Sequence, residues 1–96
     1  PELFIATLGQ AASEAGLTLL TRLQRRGIFA EMEYTGKSLK AQLRRADKMK
    51  TRRVLIVGKD ELSKGIGQLR DMDASSQQEI ALDQVEAHIC QAIDQA

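Results

Sequence analysis

The 96-residue sequence predicts a three-layer α/β/α domain on a five-stranded mixed sheet. Three observations carry that prediction. Two short, nearly unbroken apolar runs, Leu3–Leu8 and Val54–Val57, each end at a glycine and read as strands buried on both faces. The segments after Gly9 and after Ser38 have helical periodicity. Beyond Gly65, two short strand-like runs flank the turn-forming stretch Asp73-Ala74-Ser75-Ser76.

In chain order, Leu3–Leu8 is too short for a helix and gives the first strand. Gln10–Arg26 follows as a helix whose inner side is Ala12, Ala15, Gly16, Leu19, Leu20 and Leu23, and Gly27 stops it. Ile28–Tyr34 alternates, with Ile28, Ala30, Met32 and Tyr34 opposite Phe29, Glu31 and Glu33, as in a strand near a sheet edge. Gly36 breaks it, and Ser38 is placed to cap a helix from Leu39 to about Met49, with Leu39, Leu43 and Ala46 inward. After the strand Val54–Val57, the polar segment Lys59–Gly65 reads as a plain connection. Strands at Ile66–Met72 and Gln77–Ala81 come next, and then a last helix on Val85, Ile89, Ala92 and Ile93. Asp83 is placed to cap that helix, with Glu86 completing a capping box. The order is βαβαβββα. Strands one to three are parallel through right-handed crossovers, the fourth is antiparallel, and the fifth runs with the first three.

One core fits this length. The chain starts at Pro1 with Leu3 already in an apolar run, which suggests a fragment of a longer chain, although proteolytic maturation would look the same. No stretch approaches the roughly 20 apolar residues of a membrane span, and no signal peptide is visible. The lone Cys90 excludes an internal disulfide, fits a reducing cytosol, and reads as a buried, inert thiol.

The net charge of +1 hides an uneven distribution. Lys37, Lys40, Arg44, Arg45, Lys48, Lys50, Arg52 and Arg53 stand against Asp47 alone, whereas the chain from Asp71 onward holds no Lys or Arg. Such a basic region can meet a polyanion, or simply solvate a helix face.

Enzymatic signatures are missing. Gly65-Ile66-Gly67 lacks the third glycine and following helix of a dinucleotide fingerprint. Gly36-Lys37-Ser38 has Glu31 where a phosphate-binding loop needs its first glycine. No Asp ends a central strand, and His88 has no neighbouring ligand set for a metal. Binding is the remaining class. Ligands of open α/β sheets gather at the carboxyl ends of parallel strands, here Thr7-Leu8-Gly9, Tyr34-Thr35-Gly36 and Val57-Gly58-Lys59. Lys37, Lys40, Arg44 and Lys48 form a stripe suited to phosphates, and Glu61 and Arg70 suit base edges as acceptor and forked donor. With Phe4, Phe29 and Tyr34 as the only aromatics, this is no general stacking platform, and Tyr34 alone is placed at the ligand end.

Taken together, Lys37-Ser38-Leu39-Lys40-Ala41-Gln42-Leu43-Arg44-Arg45-Ala46-Asp47-Lys48, the strand and loop Val54–Leu62, the glycine at 65, and Gln77-Gln78-Glu79-Ile80-Ala81-Leu82-Asp83-Gln84-Val85 closely resemble the C-terminal anticodon-binding domain of class IIa histidyl-tRNA synthetases. The resemblance covers essentially the whole chain. It implies binding of the histidine tRNA anticodon stem-loop, with no catalytic residue, metal or cofactor in this domain. ATP and Mg belong to a separate catalytic domain of a cytoplasmic, dimeric ligase. In the related threonine, proline and glycine enzymes the residues matching Glu61 and Arg70 contact anticodon bases, and Tyr34, Gly36 and Lys37 match the loop that faces the anticodon. The chain departs from the family pattern at Glu33–Gly36, often richer in Gly and Asn, and at Arg70, where Lys is frequent. A regulatory or structural synthetase paralogue without charging activity is the alternative implied.

Overall fold

A computed structural model describes residues 1–94. Its strands are β1 (Leu3–Thr7), β2 (Ala30–Met32), β3 (Arg53–Val57), β4 (Ile66–Asp71) and β5 (Ser76–Ala81). Its helices are α1 (Gln10–Arg25), α2 (Leu39–Lys48), α3 (Lys59–Ser63) and α4 (Val85–Asp94), with a 3-10 turn at Leu82–Gln84 before α4. The strands lie in the order β2-β1-β3-β4-β5, with β1 parallel to both β2 and β3, and β4 antiparallel to β3 and β5. The predicted mixed sheet and its main element order are therefore present.

Two cores sandwich the sheet. On one face Leu3, Ile5, Met32, Leu55, Val57 and Leu69 pack with Leu20 and Leu23 of α1 and with Val85 and Ile89 of α4. On the other, Phe4, Ala6 and Val54 pack with Ala46 of α2, joined by Leu39 and Leu43. The alternation of odd and even residues of β1 between the two clusters is the two-residue period of a strand covered on both sides.

The helix ends follow the sequence signals. Ser38 Oγ accepts from Ala41 N at 3.2 Å, the expected cap of α2. Gly27 takes φ 77°, and the pair of bonds from Gly27 N to Gln24 O and Ile28 N to Leu23 O closes α1. The same closure ends α2 through Lys50 N to Asp47 O and Thr51 N to Ala46 O, but with a lysine at φ 57° in the left-handed position.

Four expectations are corrected. The connection after β3 is not plain coil: Lys59–Ser63 winds into α3, its start closed by Glu61 accepting from Gly58 N. Strand β2 spans three residues rather than Ile28–Tyr34, for a reason given below. Asp83 makes no cap bond, because the 3-10 turn already has the chain helical there, and Glu86 instead pairs with Arg26 at 2.9 Å. Cys90 is half-buried rather than buried, at the margin of the α1–α4 core.

Candidate nucleic-acid interface

The rim at the carboxyl ends of β1 and β2 is built by a substitution in the ladder. Leu8 N bonds Val57 O, so the N–H and C=O of Thr7 point the other way, toward β2. There β2 has already ended. The carboxamide of Gln42 takes its place: Oε1 accepts from Thr7 N at 3.0 Å, and Nε2 donates to Thr7 O at 2.9 Å. The same Nε2 donates to Lys37 O at 2.8 Å. Gln42 is 1% exposed and Thr7 4%, so these are buried bonds that a free backbone would need water to replace. A side chain of α2 thus completes the sheet, and the chain is free to leave β2 early as the loop Glu33–Lys37.

That loop has a second anchor. One oxygen of Glu33 accepts from Thr35 N at 3.1 Å and from Thr35 Oγ1, and the other accepts from Arg45 Nη1 at 2.9 Å. The Thr35 hydroxyl and N–H, assisted by Arg45, hold the Glu33 carboxyl down at about 2. Arg45 also lies 3.7 Å from Glu31 and places its guanidinium 5.6 Å from the ring centroid of buried Phe4. Arg45 is thereby withdrawn from the basic set. Gly36 turns the loop at φ 70°, a conformation that favours glycine. Tyr34 stands 65% exposed above it. The loop and the β1–α1 turn enclose a cleft of about 430 Å³ lined by Thr7, Gly9, Ser13, Tyr34, Gly36 and Lys37.

The predicted basic residues lie along the solvent side of α2 and its approach. Lys37, Lys40, Arg44 and Lys48 are all exposed. Lys37 precedes the Ser38 cap rather than belonging to the helix. Lys40, Arg44 and Lys48 recur every four residues, about 6 Å apart along the axis. Among the described residues none of the four makes a salt bridge, whereas Arg26, Arg45 and Arg53 are each paired with a carboxylate.

Arg70 shares the sheet face of α2. It sits opposite Val54, whose side chain belongs to the α2 cluster, while its neighbour Leu69 belongs to the other core. Among the described residues α2 is the one helix represented in that cluster, so beyond β3 that face of β4 and β5 presents Gln68, Arg70, Gln77 and Glu79. Glu61 is placed differently. It lies past the end of β3, with Oε1 accepting from Gly58 N at 2.9 Å. A Cβ at residue 58 would come 2.7 Å from that oxygen, so a larger residue there would push the carboxylate out of its bond to the residue 58 N–H. This bond engages Oε1, and among the described residues Oε2 has no hydrogen-bond or salt-bridge partner. From Gly58 back to Val54 is four strand residues, ~13 Å at 3.3 Å per residue. The structure therefore gathers Tyr34, Gly36 and Lys37 at one rim and sets Lys40, Arg44, Lys48 and Arg70 on one side of the sheet. It does not bring Glu61 and Arg70 together.

Sequence reading missed Gln42 and Glu33. The first had a signal, since it lies between Leu39 and Ala46 on the inward side of the helix. The second had only a weak local signal, Thr35 two residues on, because its other partner Arg45 is twelve residues away.

This is a three-layer α/β domain that sets a cationic flank without salt-bridge partners beside an organised strand-end rim, the charge and place a polyanion would require. The chain belongs to the anticodon binding domain family, whose model matches residues 2–91. It is 54% identical over 86 residues to a histidine–tRNA ligase of Syntrophotalea carbinolica, covering 90% of this chain and 20% of that protein. It is 42% identical over 91 residues to the histidine–tRNA ligase of Symbiobacterium thermophilum, covering 95% of this chain and 21% of that one. The apo histidyl-tRNA synthetase of S. aureus superposes with a TM-score of 0.86 at 27% identity, over 92% of this chain and 26% of that chain. The chain thus spans about a fifth of the length of the ligases it matches. No described helix is long and apolar enough to cross a membrane.

Proposed function

We propose that this chain binds the anticodon stem-loop of histidine tRNA and contributes to its selection by a histidine–tRNA ligase of which it is one domain. The observation that carries this reading is the exposed, unpaired set Lys37, Lys40, Arg44 and Lys48, lying on the same side of the sheet as Arg70 and next to the Tyr34–Lys37 rim. The cations hold phosphates without regard to sequence. Base reading falls to Glu61, whose free oxygen accepts from an amino or imino group, and to the guanidinium of Arg70. Because these two stand apart, they read different nucleotides of a splayed loop, with Tyr34 available for stacking. Histidine activation with ATP and Mg takes place on a separate catalytic domain, in a dimeric cytoplasmic enzyme. Relatives named as ligases support this reading over a regulatory paralogue.

Titration with the histidine tRNA anticodon hairpin and with hairpins of altered anticodon tests the assignment. Lys40→Glu with Arg44→Glu should weaken every hairpin alike. Arg70→Ala, and Glu61→Gln (which keeps an acceptor for Gly58 N), should instead reduce the preference for the histidine anticodon by roughly 1–3 kcal/mol. Equal loss on all hairpins from all four changes would remove the base-reading roles.

A further inference from the structure

We infer that Gln42 and Glu33 are positioning residues of the RNA-binding rim: α2 uses them to hold the Tyr34–Lys37 loop in the shape in which Lys37 meets phosphate. This inference rests on the RNA-binding reading above and adds to it two residues that act by holding the loop.

Gln42 is 1% exposed, so it lies out of a ligand's reach. Its Nε2 joins the carbonyl of Lys37 to that of Thr7, which fixes where the loop ends relative to the end of β1. Glu33, with its side chain 11% exposed, fixes where the loop begins, through Thr35 on one oxygen and Arg45 on the other. Both anchors reach back to α2, one through Gln42 itself and one through Arg45. The loop and the cationic flank therefore form one body, and the backbone of Lys37 keeps a fixed place at the start of α2. Without the anchors, a loop turning at Gly36 would lose that place, and RNA binding would have to order it afresh.

Electrostatics alone gives the opposite expectation for Glu33. A carboxylate beside an RNA site repels phosphates and neutralises Arg45, so its removal should tighten binding. Positioning predicts that removal weakens it. The experiment measures binding of the histidine tRNA anticodon hairpin across a salt series, with circular dichroism confirming that each variant is folded. Lys37→Ala should lose affinity on the order of 3- to 10-fold and lower the magnitude of the log–log salt slope by about 0.7, one single-strand phosphate. Glu33→Ala should reproduce both changes, Glu33→Gln should restore most of the affinity by keeping an acceptor for Thr35, and Glu33→Ala with Lys37→Ala should be no weaker than Lys37→Ala alone. Gln42→Met, if folded at the assay temperature, should behave as Glu33→Ala does. Tighter or unchanged binding by Glu33→Ala, or losses that add to that of Lys37→Ala, would overturn the inference while leaving RNA binding intact. Absence of salt-dependent binding by the unaltered domain would instead remove the RNA reading, and this inference with it.

Discussion

Replacing Gln42 by Met removes a carboxamide that stands in for a missing stretch of β2 and leaves the side-chain volume nearly unchanged. Two buried backbone groups, Thr7 N and Thr7 O, lose their partners. Each buried group left unsatisfied costs about 1–3 kcal/mol. The carbonyl of Lys37 belongs to an exposed residue and can turn to water, so it adds little. Burial of the thioether in place of the amide returns part of the loss, and the net destabilisation is about 2–4 kcal/mol. Domains of this size have roughly 5–15 kcal/mol in total, so the variant should still fold in water at 25 °C. In urea, with a slope near 2 kcal/mol/M, the unfolding midpoint should fall by about 1–2 M at unchanged slope. A shift smaller than about 0.5 M would mean that water serves Thr7 as well as Gln42 does, and the ladder-completing role would be wrong.

Lys50 closes α2 at φ 57°, where an L side chain is strained. Lys50→Gly should stabilise the domain by roughly 0.5–1 kcal/mol after the entropy of the unfolded glycine is allowed for, read from the same urea curves. Gly67 faces the opposite problem. A Cβ there would lie 2.8 Å from Leu55 Cδ1 and 3.3 Å from Ile56 O, so Gly67→Ala should destabilise by about 1–3 kcal/mol, again in urea. Glu33 titrates at about 2 in the folded domain against 4.5 when unperturbed, chiefly through its bonds from Thr35. A depressed carboxylate contributes stability that is complete above about pH 4.5 and is lost as pH falls through 2. Stability should therefore fall less steeply over that window in Glu33→Gln than in the unaltered domain, and a carboxyl carbon titrating by NMR near 4.5 would contradict the Thr35 and Arg45 contacts.

The parts of the fold that the sequence made legible are those where burial imposes a period. Leu3–Leu8 and Val54–Val57 had to be inner strands because they are apolar on both faces. Gln10–Arg26 had to be a helix because its apolar residues recur on one side. The short β2 was not legible, since side-chain alternation continues to Tyr34 although the backbone pairing ends at Met32. Side-chain period reports burial, not hydrogen-bond partners. A helix as short as α3 shows no period at all, and its only trace was the spacing of Gly58 and Glu61. At the site, Lys40, Arg44 and Lys48 were legible as a stripe, because i, i+4 spacing puts charges on one side of a helix, whereas Lys37, read with them, lies before the Ser38 cap. That Arg45 would leave the basic set was not, because Glu31 and Glu33 meet it only after β2 and α2 pack. Glu61 and Arg70 were legible from their side-chain chemistry and from the family resemblance, but their separation along β3 appears only with the sheet register.

The central claim is that RNA lies along the cationic flank of α2, between the Tyr34–Lys37 rim and Arg70. Backbone amide NMR of the unaltered domain, titrated with the histidine tRNA anticodon hairpin, maps the contact surface in a single experiment. Shift changes concentrated in residues 34–48, around Glu61 and along β4 are the predicted result. A contact map centred on α1 and α4, with α2 unmoved, would contradict it.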